Sequence, residues 1–104
     1  MANYVLVYKG GGMPETEAEQ QAVMAAWGQW YESIGAGVVD GGQPFGPSAS
    51  VGGDGAVSAG ATSGLTGYSI LAADSLDAAT ALAQTCPIRA AGGTIDVYEA
   101  MPMM

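Results

Sequence analysis

Few side chains in this sequence are suited to acid–base chemistry. The chain contains no His, and His is the side chain that most often moves protons near neutral pH. Asp40 stands where a short predicted strand enters a Gly-rich turn, so its carboxylate could serve as a general base or accept a hydrogen bond from a ligand. It could equally cap its own turn. Tyr68, inside a predicted strand, could donate to a ligand oxygen or pack at a subunit contact. Glu32 is the internal carboxylate of the first predicted helix, and we take these three residues as the catalytic candidates.

Aromatic and amide side chains near these candidates could form the walls of a pocket. Gln43 and Phe45 lie in the loop that follows Asp40, although turn and core roles would explain them as well. Trp30 belongs to an apolar helix stripe, and a tryptophan beside a cavity would suit a flat organic ligand. Together with Tyr8, these residues are the predicted ligand-binding set.

The sequence predicts neither a cofactor nor a metal. The clusters Gly10–Gly12 and Gly52–Gly55 lack the spacing of nucleotide-binding loops. Without His, with a single Cys and with no calcium-loop spacing among the acids, the chain offers no recognisable metal site. Cys86 lies at the end of a predicted helix, where the pKa of a thiol is not lowered, so we interpret it as inert.

The elements that must position these residues can be read from periodicity and breaker residues. Thr16 and Glu19 have the spacing of a capping box, and the helix that they begin carries apolar residues at Trp27, Trp30 and Ile34. Asp-Gly within residues 53–55 favours a hairpin turn. The predicted strands are 3–9, 38–40, 50–52, 56–59, 65–73 and 94–99, and the predicted helices are 16–34 and 76–85.

This order predicts an α+β fold, a ferredoxin-like βαββαβ sandwich with an inserted hairpin and two helices on one face of an antiparallel sheet. The other face would then be bare and apolar. A symmetric homodimer that packs sheet on sheet is the simplest way to bury it. The residues assigned to this open face are Tyr4, Leu6, Tyr8, Tyr68, Ile70 and Tyr98.

Three segments resemble a known family. They are residues 40–48 (DGGQPFGPS), residues 67–79 (GYSILAADSLDAA), and Cys86-Pro87 followed by residues 92–99 (GGTIDVYE). In this order they are similar to the YCII-related proteins of the DGPF type, although the Asp-Gly-Pro-Phe run is interrupted here by Gly42 and Gln43.

The resemblance implies a dimeric α/β-barrel of ferredoxin-like subunits, with a pocket between the open sheet face and neighbouring loops. Some YCII-type enzymes use a His-Asp pair, and this chain has no His to supply it. The resemblance therefore implies either a different acid or base, or no catalysis at all.

The length and net charge of the chain limit its expected domain organisation, partners and cellular location. At 104 residues the chain is expected to form one domain, 1–104. Its net charge is −8, with Lys9 and Arg89 as the only basic residues, so nucleic acid and anionic membrane are not expected partners. The sequence shows no signal peptide and no membrane span, and its lone Cys fits a reducing compartment, so we expect the cytoplasm.

Three functional hypotheses remain from the sequence. The first is a cofactor-free enzyme, or its relic, that moves a proton on a small oxygenated or aromatic compound. The second is a non-catalytic binding or regulatory module that acts through the open sheet face. The third is a purely structural oligomer with no ligand.

Overall fold

The computed structural model describes residues 1–11 and 15–102. The strands are β1 (Ala2–Lys9), β2 (Val38–Asp40), β3 (Ala49–Val51), β4 (Val57–Ala59), β5 (Leu65–Ala73) and β6 (Thr94–Ala100); the helices are α1 (Glu17–Ile34) and α2 (Leu76–Ala83). Gly12, a member of the first glycine cluster, lies outside the described residues. The predicted order of elements is confirmed, with boundaries shifted by one or two residues.

Four strands form one antiparallel sheet in the order β2-β5-β1-β6. Without the hairpin strands β3 and β4, the sheet contains β1, β2, β5 and β6 in chain order. In space, β2 lies beside β5, β5 beside β1, and β1 beside β6. This is the ferredoxin-like arrangement, and both helices pack on the same face. The predicted α+β fold class is therefore confirmed.

Both helices begin at residues that cap them. Thr16 accepts a hydrogen bond from the amide of Glu19 at 3.1 Å, and Ser75 accepts one from the amide of Ala78 at the same distance. The carboxylate of Glu19 accepts from the amide of Glu15 instead of from the cap residue, so the predicted capping box is only half formed. These caps determine the residues at which α1 and α2 begin.

The core lies between the sheet and the helices, and here one sequence-based assignment was wrong. Tyr4, Leu6 and Tyr8 were assigned to the open face, but they point toward the helices and are at most 5% exposed. The opposite set of β1, with Val5 and Val7, lies on the open face. Because both alternating sets of β1 are apolar, the local pattern does not determine which set faces the helices.

The open face is nevertheless apolar at its centre. Val5 of β1 pairs with Ile70 of β5 on one side and with Tyr98 of β6 on the other, so the three residues form a row across the middle of the sheet. Val5 and Ile70 are partly exposed, and Tyr98 is 59% exposed. Within residues 1–11 and 15–102, no helix packs over this row, which we call the open-face row.

The predicted hairpin forms a separate two-stranded sheet from β3 and β4. Asp54 makes its turn by accepting a hydrogen bond from the amide of Ala56 at 2.9 Å. Val51 and Val57, which pair across the hairpin, are about 70% exposed. The hairpin therefore lies apart from the main core.

Candidate functional site

A cleft of about 600 Å³ lies on the helix side of the sheet, between α1 and the loop that follows β2. Its position differs from the pocket that the family resemblance implied, which was on the open face. The size is within the range of sites for small organic ligands. The residues that line the cleft are Tyr8, Met24, Trp27, Gly28, Tyr31, Gly41, Gly42, Gln43, Pro44, Thr66, Gly67, Tyr68 and Ile88.

Aromatic rings form one wall of the cleft. Trp27 packs edge-on against Tyr8, with ring centroids 5.3 Å apart, and lies 5.8 Å from the ring of Tyr31. These contacts hold α1 against β1 and leave ring surface facing the cleft. A wall of this kind favours a flat, apolar ligand.

Three hydroxyl groups meet behind this wall. Tyr8 donates to the hydroxyl of Ser69 at 2.6 Å, and the hydroxyls of Ser69 and Tyr31 are 2.9 Å apart. Both of the latter also lie 2.8 Å from the carbonyl oxygen of Gly41, to which each can donate. Tyr8, Tyr31, Ser69 and the Gly41 carbonyl, which we call the hydroxyl cluster, join α1, β1, β5 and the loop after β2.

Burial makes the groups of this region hard to ionise. Desolvation raises the pKa of Tyr8 far above its usual range, and the hydrogen bond to Ser69 only partly opposes this effect. Desolvation also raises the pKa of Tyr31. The buried thiol of Cys86 has its pKa raised for the same reason, which agrees with the interpretation of an inert thiol. The hydroxyl cluster is therefore neutral at physiological pH.

The loop after β2 lies directly against β5. Gly42 has a φ of +78°, and a Cβ atom there would lie 1.7 Å from the carbonyl oxygen of Tyr68. Only glycine fits both the backbone conformation and the space. The amide of Gly42 donates to Oδ1 of Asp40 at 2.8 Å, which is the turn-capping role considered for that aspartate.

Asp40 also contacts Tyr68, the second catalytic candidate. The Tyr68 hydroxyl lies 3.4 Å from Oδ2 of Asp40, the oxygen that the turn leaves free. Tyr68 pairs with Val7 and alternates with the buried Ser69, so its side chain lies on the open face of the sheet, as the sequence predicted. The ring of Phe45 stacks on it there, with centroids 5.8 Å apart. A carboxylate and a phenol thus stand together on the open face, at the outer edge of the sheet and across β5 from the cleft.

The other candidates lie in different places. Tyr8 and Gln43 line the cleft as expected, whereas Phe45 borders a separate, smaller hollow of about 280 Å³. Trp30 is buried away from the cleft, and its indole N–H points to the carbonyl of Leu82 and the hydroxyl of Thr85. Glu32 is exposed on α1 and is not among the lining residues.

Sequence reasoning missed Tyr31, Ser69 and Met24. Met24, Trp27 and Tyr31 follow one another at spacings of three and four, so a second stripe beside the predicted one could have been noticed. Ser69 gives no such signal, because a single serine in a strand is common and its buried position depends on contacts with distant parts of the chain.

Within residues 1–11 and 15–102, no three His, Cys, Asp or Glu side chains lie close enough together to bind a metal ion. In the same part of the chain, no helix has the length and apolar character needed to cross a membrane. The polar groups of the cleft are hydroxyls, amides and backbone atoms, which can bind and orient an organic ligand.

The sheet order, with both helices on one face, defines a class, the ferredoxin-like α+β domains. The family model described as the YCII-related domain matches residues 3–104. The chain belongs to the YCII-related family, as the three sequence segments indicated.

A solved structure shares the fold. The chain is similar to 5-chloro-2-hydroxyhydroquinone dehydrochlorinase from Burkholderia phenoliruptrix, solved in complex with 2,5-dihydroxybenzoquinone, with a TM-score of 0.58 and 19% sequence identity. The alignment covers 95% of this chain and 93% of the dehydrochlorinase chain. A search of curated proteins finds no significant match.

Proposed function

We propose that this protein binds a small oxygenated aromatic compound in the cleft and moves a proton on it without a cofactor. The observation that carries the proposal is the cleft itself, with aromatic rings on one wall. The Asp40–Tyr68 pair lies beside the Gly41–Gly42 loop that lines the cleft, at the outer edge of the sheet and on its open face. The dehydrochlorinase of the same fold binds 2,5-dihydroxybenzoquinone, a compound of the proposed class.

The Asp40–Tyr68 pair would supply an acid and a base to a ring that extends past the Gly41–Gly42 loop to the outer edge of the sheet. Oδ2 of Asp40 would accept a proton from the ligand, while the Tyr68 hydroxyl would donate a hydrogen bond to the ligand oxygen on which negative charge develops. The amide of Gly42 orients the carboxylate through Oδ1. Since the chain has no His, this pair would replace the His-Asp pair of some relatives.

The proposal can be tested by following hydrogen exchange on the ring carbons of hydroxyhydroquinone in D₂O by NMR. We expect the protein to accelerate the exchange. Asp40→Asn and Tyr68→Phe should each reduce the acceleration by about 10²- to 10⁴-fold, the usual contribution of a positioned acid or base. Binding of the ring, measured by calorimetry, should change much less.

Matched controls are available elsewhere in the chain. Asp54 caps a turn of the hairpin as Asp40 caps its loop, and Tyr98 is an exposed strand tyrosine outside the cleft. Asp54→Asn and Tyr98→Phe should leave the exchange rate unchanged. Binding without any acceleration would contradict catalysis and favour a ligand-binding module, and no binding would remove the cleft as the site.

We also propose that the protein is a homodimer that buries the open-face row. Val5, Ile70 and Tyr98 form an apolar patch at the centre of an uncovered sheet face, and a two-fold axis would allow each copy to cover the other. A homodimer would leave the cleft accessible, because the cleft lies on the opposite side of the sheet. The free thiol of Cys86 supports a reducing compartment, and we place the protein in the cytoplasm.

A further inference from the structure

We infer that the cleft is selective for uncharged aromatic rings and rejects the corresponding anions, an inference that rests on the proposed function of the cleft. It adds a requirement on the charge of the ligand to the requirement for a flat ring.

Among the residues that the structure describes, no positive side chain lines the cleft. Lys9 and Arg89 are the only basic residues of the sequence, and neither lines the cleft. The guanidinium of Arg89 donates to the carbonyl of Gln84, and the side chain of Lys9 lies near Gly64. The cleft is at the Tyr8 end of β1, so the N-terminal amine lies at the other end of that strand.

The groups that do line the cleft are neutral. Burial keeps Tyr8 and Tyr31 protonated, and both hydroxyls already have partners in the hydroxyl cluster. A carboxylate or phosphate in the cleft would lose water without gaining a counter-ion, which is costly. An uncharged ring loses little on leaving water and gains contact with Trp27.

The negative charge of the whole chain also disfavours the binding of anions. The net charge is −8, and the carboxylate of Asp40 accepts from the amide of Gly42, in the loop that lines the cleft. An approaching anion is therefore repelled before it enters. A neutral substrate acquires negative charge only during proton transfer, when the Tyr68 hydroxyl can stabilise it.

The experiment compares two rings that differ by one carboxylate, hydroquinone and 2,5-dihydroxybenzoate, by calorimetry at pH 7 and constant ionic strength. We expect hydroquinone to bind at least about 10-fold more tightly. Met24, which lines the cleft and is 74% exposed, offers a site for an added charge. Met24→Lys should raise the affinity for the benzoate about fivefold and change that for hydroquinone by less than about twofold.

Two controls isolate the local charge. Met24→Gln removes the thioether without adding charge, and Ser58→Lys adds the same charge on the hairpin; neither should raise the affinity for the benzoate. Equal or tighter binding of the benzoate by the unaltered protein would overturn the charge selectivity while leaving the cleft as a binding site. If neither ring binds, the proposed function fails and the inference with it.

Discussion

At the scale of single residues, Ser69 is the central contact of the cleft. Its side chain is fully buried, and its hydroxyl contacts the hydroxyls of Tyr8 and Tyr31 and the carbonyl of Gly41. Every buried polar side-chain atom among the described residues has a partner. Removing this one hydroxyl would take away the acceptor to which the buried phenol of Tyr8 donates at 2.6 Å.

We therefore expect Ser69→Ala to lower the free energy of unfolding by about 1–3 kcal/mol, the cost of an unsatisfied buried group. Urea denaturation measures this loss. Ser58→Ala, on the exposed hairpin, should change the free energy by less than about 0.5 kcal/mol. A loss at Ser69 no larger than at Ser58 would show that the hydroxyl cluster does not stabilise the fold.

A second residue-scale prediction follows from the raised pKa values of Tyr8, Tyr31 and Cys86. The folded state keeps these protons, whereas the unfolded chain releases them near the ordinary pKa values of about 8.5 for Cys and about 10 for Tyr. Their contribution to stability is thus complete below about pH 8.5 and is lost as the pH rises further. The free energy of unfolding should be level from pH 7 to about 8 and should fall above about 9.

The variant Cys86→Ala distinguishes the contribution of the thiol from that of the two tyrosines. In this variant the decline should begin only near pH 10, where the tyrosines of the unfolded chain ionise. Urea denaturation from pH 7 to 11 measures both proteins. An identical onset in the two proteins would mean that the thiol pKa is not raised by folding.

Sequence reasoning at the residue scale found the Asp40–Tyr68 pair but not the hydroxyl groups behind the cleft. Asp40 and Tyr68 could be selected because an acid beside a glycine turn and a strand phenol are local features. The role of Ser69 depends on Tyr8, 61 positions away, and on Tyr31, 38 positions away. No local pattern encodes such contacts.

At the scale of elements, the loop after β2 determines the shape of the cleft. Gly41 is bound by the hydroxyl cluster, and Gly42 touches the backbone of Tyr68 too closely to allow any side chain. The loop is therefore fixed by its backbone. A substitution that moves this loop would therefore change the shape of the cleft without replacing any polar side chain that lines it.

Gly42→Ala is expected to move this loop. The new methyl group would collide with the Tyr68 carbonyl, and the positive φ adds strain, so we expect a loss of at least about 1–3 kcal/mol in stability. Ring binding should weaken by at least about tenfold. Thermal denaturation and calorimetry measure the two effects.

Gly46→Ala is the matched control, because Gly46 lies in the same loop with open space around its Cα and no positive φ. It should change neither quantity. If Gly42→Ala binds the ring as well as Gly46→Ala does, the position of the loop does not matter to the cleft.

Most elements could be predicted because their signals are local. The Thr16 and Ser75 caps mark helix starts, and the run from Leu65 to Ala73 is strongly β-forming. The orientation of β1 could not be predicted, since Val5 and Val7 are as apolar as Leu6. Its orientation follows from hydroxyl partners on other strands, such as Glu99 for Tyr4.

At the scale of the whole molecule, the two faces of the sheet have different roles. One face carries the helices, the core and the cleft, and the other carries the open-face row. The family resemblance correctly indicated the fold, whereas the residues assigned to the open face were partly wrong. The proposed dimer depends on Val5, Ile70 and Tyr98 and not on the buried residues Tyr4 and Tyr8.

Val5→Lys tests the proposed dimer. A lysine at the centre of the open-face row would be buried without a partner in the interface, so we expect the dimer dissociation constant to rise by more than about tenfold. Sedimentation velocity over a range of concentrations measures it, and circular dichroism checks the fold.

Gln29→Lys provides the same change of charge on an exposed position of α1 and should leave the dimer intact. Hydroquinone binding should persist in both variants, because the cleft is on the helix side. An unaltered protein that sediments as a monomer at high concentration would contradict the proposed dimer.

The outer position of β6 has a consequence for how the protein behaves in concentrated salt. β6 lies at the edge of the main sheet, so the N–H and C=O groups along its outer side are available to a strand from another chain. Asp96 and Glu99 place negative charges on this strand, and like charges keep such edges apart in solution. Concentrated salt would screen these charges and weaken that repulsion. Storage and crystallisation at low ionic strength should therefore slow the growth of strand-paired aggregates.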